Sequence, residues 1–129
     1  TDADGVHLGQ EDIYPDLVKE ITTKDLIIGT SNATISEVEE SEGNESSYIA
    51  IGSIFPTTTK IDTRPAGLKL LIDAKKICKK PIVAIGGINQ KNIKSTIETG
   101  VDSVCIATAI TLSKDPEKTT KSLSKYFNI

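Results

Sequence analysis

Five short segments hold most of the groups able to handle a charged ligand: GQED (9–12), GTSN (29–32), PTTTK (56–60), GGIN (86–89) and ATAI (107–110). The densest is PTTTK, where a proline hands over to Thr57, Thr58, Thr59 and Lys60. A surface turn rarely requires three hydroxyls followed by an ammonium. Lysine offers a point charge to a bound or departing phosphate, and the threonines add neutral donors without overcharging the site. Gly87 and the hydroxyl of Thr108, on neighbouring loops, can form a paired anion cup, although Gly-Gly after a strand is also ordinary turn chemistry. In GQED, Glu11 and Asp12 stand where a carboxylate usually serves as a helix N-cap. Beside a phosphate, a lone carboxylate such as Asp12 is also the smallest protein ligand set for Mg²⁺. The Ser31 hydroxyl can face the same ligand or act as a cap. Asp62 and Arg64 can pair with each other as readily as with a ligand. His7, the single histidine, reads as a satisfied interior residue of its strand with no catalytic role.

These segments matter because of what precedes them. GVHLG, DLIIGTS, YIAIGSIF, PIVAIGGI and DSVCIATAI are apolar runs rich in Ile and Val, each followed by a helical pattern. Continuous rather than alternating runs predict parallel strands buried on both faces, in an α/β fold with five βα units. Helices are predicted at about 14–22, 33–41, 66–78, 90–98 and 115–126, the last opened by Asp115-Pro116. The polar stretch ESEGNESS (40–47) reads as a loop, and no domain boundary is evident. Ligands of parallel α/β folds bind at the carboxyl ends of strands, which is where all five segments fall. Their shared glycines and hydroxyls predict one phosphorylated ligand site built from several loops.

Composition removes other classes. At 129 residues with 37% hydrophobic content, the chain has the size of one domain and enough apolar material for a core. It carries no apolar run of bilayer length and no signal-peptide pattern. A net charge of −3 and 4% aromatic residues leave no basic stripe and no stacking platform, so neither nucleic acid nor membrane is an expected partner. Cys78 and Cys105 lie in predicted core stretches without a second pair, which fits a reducing cytoplasm better than a disulfide or zinc framework. The absence of GxGxxG argues against a dinucleotide fold.

Taken in order, ADGVHLGQED, the G-x-S of GTS, GSIFPTTTK, AIGGIN and ATAI resemble thiamine-phosphate synthase, a TIM-barrel family, along essentially the whole chain. GQED and GG are weak signals singly; GxIFPTxTK followed by AIGGI is specific. The resemblance implies joining of 4-amino-2-methyl-5-pyrimidinylmethyl diphosphate to a thiazole phosphate, with release of pyrophosphate. It implies Asp12 as a Mg²⁺ ligand, with Ser31 and Lys60 at the pyrimidine diphosphate and carrying the catalytic contacts. Thr57, Thr58 and Thr59, together with Gly87, Ala107 and Thr108, would then bind the thiazole phosphate. Thr108 stands where serine is common in the family and keeps the hydroxyl.

A (β/α)₈ barrel needs about 200 residues or more. The resemblance assigns these 129 residues to strands four to eight of a barrel, as a single incomplete barrel domain. The family's Gln-x-Arg-x-Lys and Asn-Asp segments belong to the three absent units. The chain is therefore expected to be the C-terminal part of a synthase and to be inactive by itself, and its oligomeric state is left open. Two other readings remain. A thiazole tautomerase relative would carry histidine where Ser53 stands, and so would lack its acid/base group. A non-catalytic, phosphate-binding half-barrel would need a partner chain.

Overall fold

The computed structural model describes residues 2–57 and 66–127. Five parallel strands form one sheet in the order β1-β2-β3-β4-β5. They are β1 (Gly5–Leu8), β2 (Ile27–Asn32), β3 (Tyr48–Ile51), β4 (Ile82–Ile85) and β5 (Ser103–Cys105). The helices are α1 (Pro15–Ile21), α2 (Ile35–Gly43), α3 (Gly67–Ile77), α4 (Ile93–Ile97), α5 (Thr108–Thr111) and α6 (Pro116–Ser124), with a 3₁₀ turn at Lys125–Phe127. Consecutive strands are neighbours, so α1 to α4 each connect adjacent parallel strands, and the sequential order without a switch point is the one that (β/α) barrels use rather than doubly wound sheets. Among the described residues no helix is long and apolar enough to cross a membrane.

Helix starts follow local chemistry. Thr34 and Glu37 form a capping box at α2: the Glu37 N–H donates to Thr34 Oγ1, and Glu37 Oε2 accepts from the Thr34 N–H. Asp115 caps α6 by accepting from the Lys118 N–H at 2.9 Å, with Pro116 at the first helical position. Part of the polar 40–47 stretch continues α2, and only its end turns back to the sheet.

The strands bury one face. Ile28, Ile49, Ile51, Ile82 and Ala84 point toward the helices and are fully buried, the last four packing with Val38, Leu71, Ala74 and Ile93, and Ile28 with Leu8 and Val18 in a smaller cluster. The alternate residues face away from the helices, and Ile27 and Ile85 there are 56% and 40% exposed. Burial on both faces, expected from the continuous apolar runs, is therefore not found: with side chains alternating at period two, helices cover one face only. Cys105 is on this uncovered side and exposed, and Cys78 is only partly buried, so neither belongs to the fully buried core. The fifth strand is also shorter than its apolar run. It ends at Cys105, and ATAI enters α5 instead.

A buried polar network anchors the end of β2. Asn32 points to the helix side, where its Oδ1 accepts from Ser41 Oγ at 2.9 Å; the Ser41 carbonyl accepts from Ser46 Oγ and from Lys80 Nζ. Every member has a partner, as burial demands. Fixing Asn32 on that side fixes its neighbour Ser31 on the other.

Candidate active site

The carboxyl ends of the parallel strands open at one edge of the sheet, where one grouping of side chains lies, and a second grouping lies on the sheet's uncovered face. The first is an open groove of about 490 Å³ lined by Pro56, Thr57, Gly87, Ile88, Asn89 and Thr108, with Ala109 and Leu112. It joins the loops after β3, β4 and β5. Gly86 and Gly87 both have positive φ, at 98° and 65°, and they do more than turn the chain. A Cβ on Gly87 would lie 2.7 Å from the Pro56 carbonyl oxygen and 2.8 Å from Phe55, so glycine is what lets the two loops touch. The loops are also bonded directly: the Ile54 and Phe55 N–H groups donate to the Ile85 and Gly86 carbonyls at 2.9 and 3.1 Å. The Gly87 carbonyl accepts from the Asn89 and Asn92 side-chain amides, each at 3.0 Å, which holds the turn.

Of the predicted site residues, this groove unites Thr57, Gly87 and Thr108. Ala107 adjoins it as the N-cap residue of α5. Thr58, Thr59 and Lys60, with Asp62 and Arg64, lie outside the described residues. Ser53, at the tautomerase position, is buried, and its Oγ donates to the Phe55 carbonyl at 2.6 Å. That hydroxyl braces the loop.

The second grouping sits on the uncovered face at β1, β2 and β3. Ser31 Oγ is 2.8 Å from His7 Nε2, and the Ser31 carbonyl accepts from Gln10 Nε2 at 2.6 Å. Tyr48 Oη is 2.9 Å from His7 Nδ1. Both ring nitrogens of His7 have partners, but the residue is exposed on the sheet face and not interior as expected from its place in the strand. Its imidazole is held below the usual value, chiefly because burial of part of the ring disfavours the cation; Asp12 pulls the other way. His7, Gln10 and Tyr48 were not singled out from the sequence as site residues. The strict alternation Val6-His7-Leu8 already marks His7 as facing away from the apolar side.

Asp12 is exposed in the β1–α1 loop, where its Oδ2 accepts from the Gly9 N–H at 2.7 Å. No group of three or more His, Cys, Asp or Glu able to hold a metal occurs among the described residues. Asp12 thus fits Mg²⁺ only as a single carboxylate ligand, the kind of site in which water and phosphate oxygens complete the octahedron.

The family model described as thiamine monophosphate synthase matches residues 1–110. The thiamine-phosphate synthase of Pyrococcus furiosus is 43% identical over 124 residues, a match covering 96% of this chain and 59% of that protein. That of Clostridium tetani is 34% identical over 126 residues, covering 98% and 60%. A solved structure, thiamine phosphate pyrophosphorylase from Pyrococcus furiosus, superposes with a TM-score of 0.89 at 40% identity, covering 98% of this chain and 60% of that one. A 3-hexulose-6-phosphate synthase structure, at 16% identity and a TM-score of 0.71, shares the fold. The chain spans about 60% of the length of the synthases it matches. The family model covers most of the chain, residues 1–110, and the chain belongs to the thiamine monophosphate synthase family.

Proposed function

We propose that these residues supply the phosphate-handling loops of a thiamine-phosphate synthase, within a barrel of which they form strands four to eight. The observation that carries this reading is the meeting of Thr57, Gly87 and Thr108 in one groove. The residues are distant in sequence, and each belongs to a different strand-end loop. In the reaction, the carbon–oxygen bond between the pyrimidine methylene and its diphosphate breaks, and the methylene carbon bonds to the thiazole nitrogen. The aminopyrimidine can delocalise charge from the methylene carbon, so the protein's task is to hold the thiazole in line and stabilise the departing anion.

On this reading Thr57, Thr58, Thr59, Gly87, Ala107 and Thr108 hold the thiazole phosphate through hydroxyls and backbone N–H groups. Ser31 and Lys60 contact the pyrimidine diphosphate, Lys60 as a cation facing the leaving group. Asp12 would hold Mg²⁺, which when bound offsets the charge of the diphosphate. Family membership and the groove support the assignment of small phosphorylated substrates. Binding of the thiazole phosphate by titration calorimetry tests the groove. Wild type is expected to bind, and Thr108→Val to bind more weakly while Thr108→Ser retains affinity. Equal affinity in all three would remove Thr108 from the site, and a binder insensitive to both Thr57→Val and Thr108→Val would refute the groove.

A further inference from the structure

Three strands set His7, Gly29 and Tyr48 in a row: His7 is in register with Gly29 across β1 and β2, and Gly29 with Tyr48 across β2 and β3. The middle position is empty of side chain for a steric reason. A Cβ on Gly29 would lie 2.1 Å from Tyr48 Cζ, 2.3 Å from Tyr48 Oη and 2.6 Å from His7 Nδ1. The Tyr48 ring therefore lies across Gly29 and meets the imidazole, with ring centroids 5.7 Å apart. Ser31, two residues beyond Gly29, shares its face of the sheet. The result is a chain of contacts, Tyr48 Oη to His7 Nδ1 at 2.9 Å and His7 Nε2 to Ser31 Oγ at 2.8 Å.

A neutral imidazole has one N–H and one lone pair, so the chain can run in two directions. When Tyr48 donates to Nδ1, the Nε2–H donates to Ser31 Oγ, and the Ser31 proton is left for an outside acceptor. In the other tautomer Ser31 spends its proton on Nε2 and presents only lone pairs. An anionic oxygen at Ser31 requires the first arrangement, because it accepts hydrogen bonds and repels lone pairs.

We propose that His7 is a positioning residue: held by Tyr48 as the Nε2–H tautomer, it turns the Ser31 hydroxyl proton outward toward an anionic oxygen of the bound ligand. This rests on the reading of Ser31 as a contact to the pyrimidine diphosphate. Gly29 is part of the device, since it makes the space through which Tyr48 reaches His7.

The chain has one histidine, so ring ¹⁵N labelling gives one pair of imidazole nitrogen signals. About one unit above the ordinary histidine pKa, Nε2 is expected to carry the proton in wild type. Tyr48→Phe is expected to populate the Nδ1–H form as well. A wild-type imidazole protonated on Nδ1, or a tautomer indifferent to Tyr48→Phe, overturns the proposal. This readout needs no substrate and stands apart from the assigned reaction.

The second arm uses a full-length chimera in which this chain replaces the segment it matches in the Pyrococcus furiosus synthase. His7→Leu and Ser31→Ala are each expected to lower kcat about tenfold, the scale of one charge-assisted hydrogen bond, and the double variant to lose no more than either alone. His7→Gln, whose amide N–H₂ can stand in for Nε2–H, is expected to recover most of the His7→Leu loss. Independent, multiplying losses or no recovery by Gln count against the proposal. A folded chimera with no activity at all contradicts the functional reading instead, and the tautomer then decides the role of His7.

Discussion

Gly87→Ala tests whether the β3 and β4 loops are held together by contact or merely lie side by side. Gly87 has φ 65°, where an L residue costs about 1–2 kcal/mol. The new methyl group would also lie 2.7 Å from the Pro56 carbonyl oxygen and 2.8 Å from the Phe55 carbonyl oxygen and Cβ. Backbone atoms cannot swing aside as a long side chain does, and forced displacement of this kind costs a further ~1–3 kcal/mol. Gly100 provides the control. It has φ 85° with nothing within 4 Å of where a Cβ would lie, so Gly100→Ala carries the conformational cost alone. Urea denaturation of both variants should show Gly87→Ala the less stable by about 1–3 kcal/mol at unchanged m-value. Equal losses would mean that the loops separate freely and that the groove between Thr57 and Gly87 is not a fixed feature.

Two further outcomes follow from the core and from His7. Leu71 on α3 is fully buried among the strands' inward residues, so Leu71→Ala should cost about 2–5 kcal/mol in the same assay; a loss under ~1 kcal/mol would mean the helix layer is loosely packed. The native imidazole of His7 binds its proton at lower pH than the unfolded chain, which titrates near 6.5. Its contribution is therefore whole above that value and declines as pH falls from 6.5 toward the native pKa. The urea midpoint of wild type relative to His7→Gln should drop across that window, and a difference constant with pH contradicts the shift.

Much of this organisation is legible in the residues. The βα alternation, the Asp115-Pro116 helix start and the strand-end position of the hydroxyls all depend on local pattern, which the fold preserves. What is not legible depends on contacts between distant segments. Gly86-Gly87 reads equally as a turn or an anion cup, because its packing against Phe55 and Pro56 exists only once β3 and β4 pair. Gly29 reads as room for a ligand, whereas its neighbour Tyr48 takes that room. ATAI reads as the end of an apolar strand, yet the Ile110 and Thr111 N–H groups turn back to the Ala107 carbonyl and close a helical turn. The apolar runs suggest strands covered twice, while helices cover one side here. That uncovered side holds Ser31 and His7, and the resemblance would set it inside a barrel.

The most direct measurement is thiamine phosphate formation by the full-length chimera, supplied with both substrates and Mg²⁺. Turnover that is sharply reduced by Lys60→Ala and by Ser31→Ala, with the folded state intact, is the predicted result. A folded chimera that binds the thiazole phosphate but forms no thiamine phosphate, while the Pyrococcus furiosus parent does, would contradict the account.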